Sequence, residues 1–154
     1  MLAIAVLAAY YFAQLPETPL LKALKSASIG SVVYAEGLSP RPAQAVCVLH
    51  PYQDRVYGSD DLAMRVNTFL AKTSYQSDEG HFAFIFISRD EITVERIKRS
   101  TELDMLSVSE INQARPSGLP ANFIPEECVV GPSSAVTKIT ENVRTFAVFG
   151  EIKP

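Results

Sequence analysis

The stretch His81–Ser88, HFAFIFIS, decides the fold of this chain. It contains six consecutive apolar residues, rich in aromatic and β-branched side chains, and it lies between Gly80 and Arg89. An unbroken apolar run of this length, bounded by turn residues, is typical of a strand that is buried on both faces. Such a strand needs a neighbour along each edge and a cover over each face, and we expect the rest of the chain to supply them.

Length and composition indicate a folded protein and exclude one class of partner. The chain has 154 residues, of which 47% are hydrophobic and 20% charged, and its net charge is −3. A chain of this size suits one domain and is too apolar to be disordered. The basic residues between Arg89 and Arg99 alternate with Asp and Glu, which is typical of a solvated face and not of a phosphate-binding patch. We therefore expect no nucleic-acid partner.

Further strands are predicted on either side of the central one. Ala43–Leu49 should lie beside it, and Ile92–Lys98 should form a hairpin with it, although a helix capped by Ser88 is an alternative for the second segment. Ala135–Thr140 and Val143–Phe149 predict another hairpin, with Asn142 at positive φ in the turn. A short strand is also expected within Ile29–Ala35.

Helix signals complete a prediction of one α+β domain over residues 16–154. Thr18-Pro19 is a good helix start, and Ser59–Lys72 is the best amphipathic helix, with Ser59 as its cap. A short helix is expected near Ser109–Ala114, whereas residues 115–134 contain four prolines and should be mostly irregular. The expected fold is a mixed or antiparallel sheet of five to six strands, with the helix Ser59–Lys72 packed on one face.

The N-terminal residues 1–15, MLAIAVLAAYYFAQL, form an apolar segment without charged side chains. As a helix they would rise about 22 Å, short of the roughly 30 Å hydrocarbon core of a bilayer. Three interpretations fit: a membrane anchor or uncleaved signal, a helix buried in a core or against a partner, and a cleaved signal peptide. The first predicts an anchored or exported, extracytoplasmic protein, and the second allows a soluble cytoplasmic one.

The two cysteines, Cys47 and Cys128, predict one disulfide that ties the proline-rich segment to the sheet. The alternative is a pair of buried thiols in a reducing compartment. With His50 and His81 they also supply the donor atoms of a zinc site. We expect no metal or other cofactor, because positions 47 and 50 of a strand point to opposite faces and no paired Cys-x-x-Cys is present.

The segment after the second strand is the most suggestive candidate for a ligand or partner site. It carries His50, Tyr52, Asp54, Arg55 and Tyr57 within one loop. Together these side chains offer stacking, a bidentate donor and a titrating group. The alternative is a structural loop whose charged residues lie in water and whose tyrosines pack on the sheet edge.

A second candidate surface lies on the proline-rich segment 115–134. Leu119, Phe123 and Ile124 would form a docking surface if they were exposed, since prolines lower the cost of ordering such a loop. The alternative is that the same three residues cover the second face of the sheet.

No glycine-rich phosphate loop, nucleophile elbow or metalloprotease motif occurs in the chain. The leading hypothesis is a non-enzymatic interaction module, an accessory or assembly subunit of a membrane-associated complex that faces a non-cytoplasmic compartment. Its partner would be a protein, for example an integral membrane protein, and residues 1–15 would contact the membrane. One alternative is a small exported inhibitor or immunity-type protein that binds through the proline-rich segment. The other is an enzyme whose site combines His50, Asp54, Arg55 and His81.

Overall fold

The computed structural model describes residues 17–39 and 42–154 of the chain. The apolar helix predicted over residues 1–15 lies outside these described residues. Among the described residues, no helix is both long enough and apolar enough to cross a membrane.

The described residues form three α-helices, one short 3-10 helix and nine strands. The helices are α1 (Pro19–Ser26), α2 (Asp61–Lys72) and α3 (Val108–Gln113), with a short 3-10 helix at Glu36–Leu38. The strands are β1 (Val32–Tyr34), β2 (Ala45–Leu49), β3 (His81–Ile87), β4 (Ile92–Lys98), β5 (Asp104–Met105), β6 (Phe123–Pro125), β7 (Cys128–Val130), β8 (Ser134–Glu141) and β9 (Arg144–Ile152).

The first sheet contains the central strand and has the order β4-β3-β2-β7, antiparallel throughout. Residues 82–87 of β3 are buried, and successive side chains enter two different apolar clusters. The prediction of a strand buried on both faces, with neighbours at Ala43–Leu49 and Ile92–Lys98, is confirmed. The helix considered for the latter segment is wrong, because β4 pairs with β3 over its full length.

The second sheet has the order β1-β8-β9-β5, and β6 also pairs with β9. All of its pairings are antiparallel except that of the two-residue β5 with β9. The predicted hairpin of β8 and β9 is confirmed, and its turn places Asn142 at φ 45°. The expected single sheet of five to six strands is wrong, because the β8–β9 hairpin pairs with β1, β5 and β6 and not with the strands around β3. The segment predicted as mostly irregular also supplies two short strands, β6 in the second sheet and β7 in the first.

Three apolar clusters hold the layers together. Between the sheets, Phe84 of β3 meets Phe149 of β9 edge to face at 6.0 Å, and Leu20 and Leu24 of α1 belong to the same cluster. The opposite face of the first sheet is covered by α2, which confirms the predicted packing of that helix. The outer face of the second sheet is covered by Ile111 of α3 and by the proline-rich segment.

Side-chain caps fix where the helices begin. Thr18 caps α1 with proline at its first position, as predicted. The cap of α2 is Asp60 and not Ser59, since the Asp60 carboxylate accepts a hydrogen bond from Ala63 N at 2.7 Å. Ser107 and Glu110 form a reciprocal capping box at the start of α3.

A disulfide joins Cys47 of β2 to Cys128 of β7. The two residues are directly opposite each other in the antiparallel pair, with their Cα atoms 4.0 Å apart. The predicted disulfide is therefore confirmed, and the alternative of two thiols is wrong for this structure. The disulfide links the three-residue edge strand β7 to the sheet. It also places the residues just before β7 beside the loop that follows β2.

Candidate functional site

The loop that begins at His50 leaves β2 through a tight turn. Gln53 N donates to the backbone oxygen of His50 at 3.0 Å, and the Gln53 side-chain oxygen accepts from His50 N at 2.9 Å. Tyr52 takes the left-handed φ of 63° that the turn requires. As a result the amide side chain of Gln53 is buried and the Tyr52 ring is directed outward.

Glu127 attaches this loop to the residues that precede β7. Its Oε2 accepts hydrogen bonds from Tyr57 N at 3.1 Å and from Gln53 Nε2 at 3.3 Å. Its backbone oxygen accepts from Val48 N at 2.8 Å, which extends the pairing of β2 and β7. One residue next to the disulfide therefore holds both the strand and the loop.

Asn67 of α2 holds the loop next to the point where Glu127 bonds to Tyr57 N. The Asn67 amide accepts from Val56 N and donates to Val56 O, both at 3.0 Å, and the Val56 side chain is buried against α2. Polar side chains from two other elements therefore bond to the backbone at the later end of the loop.

A groove of about 750 Å³ opens between this loop and the start of α3. We call it the tyrosine groove, because Tyr52 and Tyr57, which are 68% and 73% exposed, both line it. Its lining comprises His50–Gln53, Tyr57–Gly58, Asp60, Ser107–Ser109, Asn112 and Glu126–Cys128.

His50 lies at the inner end of the groove in an unusual state. Both of its ring nitrogens are buried and have no hydrogen-bond partner among the described residues. Burial lowers the pKa of His50 to about 4, and the Glu110 carboxylate opposes this only in part. The ring is neutral at physiological pH, with one donor and one acceptor nitrogen that the described protein leaves unused. Buried polar groups without partners are rare in folded proteins, and a bound molecule is one explanation for them.

A smaller groove of about 410 Å³ lies on the other side of His50, next to Arg99, Asp104 and Arg144. Asp104 is fully buried, accepts hydrogen bonds from Arg99 at 2.6 and 2.9 Å and forms an ion pair with Arg144 at 3.1 Å. The hydrogen bonds to Asp104 raise the pKa of the Arg99 guanidinium. These contacts join the segment after β4 to β9, so we interpret them as interactions that stabilise the fold beside the tyrosine groove.

The structure brings only part of the predicted loop site together. His50, Tyr52 and Tyr57 line the tyrosine groove, whereas Asp54 and Arg55 are exposed and line a separate depression beside the end of α2. The loop therefore presents two faces, and its charged pair is on the face away from His50.

The three apolar residues of the proline-rich segment do not form a common surface. Leu119 and Phe123 are buried in the cluster on the outer face of the second sheet, and only Ile124 is partly exposed, at 38%. Of the two interpretations of these residues, the placement of Leu119 and Phe123 agrees with a cover for the sheet and not with a docking surface.

His81 lies on the opposite face of the first sheet from His50. Its Nδ1 is 2.8 Å from Asp78 Oδ1, and Asp78 also pairs with Arg96, whose guanidinium lies over the Tyr75 ring. The hydrogen bond with His81 is the main reason that the pKa of Asp78 is lowered. The structure thus does not assemble a site from His50, Asp54, Arg55 and His81.

The donor atoms that a metal site would need are carried by Cys47, Cys128, His50 and His81. Among the described residues, no group of three or more His, Cys, Asp or Glu side chains is placed to hold a metal ion. Cys47 and Cys128 are bonded to each other and are not available as thiolate ligands.

Two parts of the groove escaped the sequence analysis. The start of α3 could have been found from Ser107-x-x-Glu110, the sequence signature of a capping box. Glu127 could have been found from the predicted disulfide. The pairing of Cys128 with Cys47 brings the residue just before Cys128 close to His50.

No family model, no curated protein and no solved structure matches this chain. The groove and the disulfide are therefore the observations that bear on its function.

Proposed function

We propose that this chain is a non-enzymatic interaction domain, an accessory or assembly subunit of a membrane-associated complex that faces an extracytoplasmic compartment. The observation that supports it most directly is the pair of exposed tyrosines, Tyr52 and Tyr57, at the rim of the tyrosine groove. Tyrosine is enriched among the residues that dominate protein interfaces, because it offers a large contact area and a polar end with few rotatable bonds.

The loop that carries these tyrosines is held before any partner arrives. Glu127 bonds to the Gln53 side chain and to Tyr57 N, and Asn67 bonds to the backbone of Val56, so these parts of the loop do not have to be ordered on binding. A fixed loop loses little conformational entropy when it binds, so more of the contact free energy appears as affinity.

The compartment is inferred from the disulfide and the membrane from the sequence. A disulfide between paired strands supports an oxidising compartment, since such bonds are rare in the cytosol. The uncharged apolar residues 1–15 support attachment to a membrane or to an integral membrane protein. A binding role is favoured over catalysis because the candidate catalytic residues lie on different faces.

Substitution of Tyr57 by alanine tests the interface. We expect Tyr57→Ala to weaken binding of the membrane protein partner by about 2 kcal/mol, the typical loss at an interface hot spot. The measurement is quantitative recovery of the partner, identified by cross-linking to the wild-type chain, from membranes in mild detergent. Tyr34→Ala is the matched control, because Tyr34 is 54% exposed on the edge strand β1 and lies outside the groove. Equal recovery with both variants would exclude the groove as the interface.

The compartment has its own test. The intact protein, isolated from the membrane fraction of its own cells without reductant, should have a mass about 2 Da below that of the reduced chain. A reduced chain in the soluble fraction would contradict the extracytoplasmic placement.

A further inference from the structure

Every charged side chain that lines the tyrosine groove among the described residues is a carboxylate. These residues are Asp60, Glu126 and Glu127. Asp60 and Glu127 accept hydrogen bonds from backbone N–H groups and from one amide, and none of these partners carries a formal charge. Glu126 is exposed and its carboxylate bonds to no described residue. The lining of the groove among the described residues therefore carries three carboxylates and no positively charged side chain.

One further feature of the groove favours a cation and does not depend on those carboxylates. The exposed rings of Tyr52 and Tyr57 line it, and the face of an aromatic ring attracts ammonium and guanidinium groups.

We propose that the protein partner inserts an arginine or lysine side chain into the tyrosine groove, between the two tyrosines and the carboxylates of Asp60, Glu126 and Glu127. This inference rests on the proposed function, because it takes the groove as the binding face. Arginine fits the arrangement better than lysine, since its planar fork can stack on a tyrosine ring while it donates to a carboxylate.

The test is a titration followed by nuclear magnetic resonance of the full-length, disulfide-bonded protein. The probes are two blocked peptides of equal length, acetyl-Gly-Arg-Gly-Arg-Gly-amide and acetyl-Gly-Glu-Gly-Glu-Gly-amide. We expect the arginine peptide to shift the amide signals of residues 50–58 and 126–128 in a saturable way, and the glutamate peptide to leave them unchanged. Shifts that are scattered over the surface, absent, or equal for the two peptides would overturn the proposal.

A matched pair of variants assigns the effect to the groove. Glu126→Gln should weaken binding of the arginine peptide by roughly threefold, the effect expected from the loss of one exposed ion pair. Asp90→Asn removes the same charge from the exposed turn between β3 and β4, at the other end of the first sheet, and should leave the affinity unchanged. Equal affinity for both variants would contradict the assignment.

The outcomes separate this inference from the proposed function. If Tyr57→Ala releases the partner but the arginine peptide does not bind in the groove, the interface stands and the cationic side chain is wrong. If Tyr57→Ala retains the partner, the proposed interface itself falls, whatever the peptides do.

Discussion

The chain has two histidines, and both lie at the same end of the first sheet, yet their surroundings differ completely. His50 follows the last residue of β2 and His81 begins β3, where Leu49 pairs with Ala83. His81 is hydrogen-bonded to Asp78 within a cluster of charged and aromatic side chains. The ring nitrogens of His50 are buried and have no partner among the described residues. The fold pairs the His81 ring with a charged neighbour and leaves the His50 ring without one, which supports the proposal that the groove beside His50 binds another molecule.

Removal of the disulfide should have the largest effect on this contrast. Replacing Cys47 and Cys128 with alanine releases a cross-link between residues 81 positions apart, and in the chain-entropy model this lowers the free energy of unfolding by about 4 kcal/mol. The measurement is urea denaturation, combined with hydrogen exchange. We expect faster exchange in the His50 loop, which Glu127 no longer holds, and little change around His81. Equal acceleration on both faces would show that the bond stabilises the fold without shaping the groove.

The next largest effect is expected on the pH dependence of stability, to which His50 should contribute. The folded protein resists protonation of His50 down to a pKa of about 4, whereas the unfolded chain binds that proton near pH 6.5. Between these two values the unfolded state binds more protons, so stability falls as the pH is lowered, by about 3 kcal/mol in total. Above pH 6.5 this contribution disappears.

The variant His50→Phe isolates that contribution. It should lack the loss of stability between pH 6.5 and 4 relative to the wild type, and at pH 7 it should be more stable by about 1 kcal/mol, because two unsatisfied polar atoms are removed. Chemical denaturation across this pH range measures both effects. His81→Phe is the control and should retain the wild-type slope that is due to His50; a parallel loss of slope in both variants would contradict the assignment. The charged residues that line the smaller groove with His50 are the same in both variants: Arg99, Asp104, Glu110 and Arg144.

The smallest effect is expected when the partner of His81 is changed. Asp78→Asn removes the carboxylate that His81 and Arg96 share, but this cluster lies in water, and such exposed ion pairs contribute little to stability. We expect only a slight decrease in the thermal midpoint and no change in binding of the partner. A marked loss of binding would place a second interface on the His81 face.

The parts of the fold that could be predicted are those with a strong local pattern. The unbroken apolar run of β3 and the helical spacing of Val66, Phe69 and Leu70 in α2 gave the correct elements and the correct covered face. The division into two sheets was missed because the sequence of the β8–β9 hairpin does not show which strands it pairs with, and its partners β5 and β6 have only two and three residues, too few to show an alternation. The edge strand β7 of the first sheet was missed for the same reason. Pro125 also argued against a strand, although it stands at the end of a strand that pairs on one side only.

The candidate site could be predicted only in part. Its rings were found because His50, Tyr52 and Tyr57 follow a buried strand on one short loop. The sequence could not show that Asp54 and Arg55 line a different depression from the two tyrosines, because that depends on how the backbone of the whole loop turns. It also could not show that α3 and Glu127 lie across from the loop, because those contacts join residues distant in sequence.

The placement of Glu127 has a consequence for how the protein is made. The loop that begins at His50 leaves the ribosome, and any export channel, long before Glu127 and Cys128 do, because 81 residues separate the two cysteines. Until that later segment arrives, the loop lacks the carboxylate that holds Tyr57 N, and the floor of the tyrosine groove does not exist. An incomplete chain therefore lacks the finished groove, which forms only after residues 126–128 have been made.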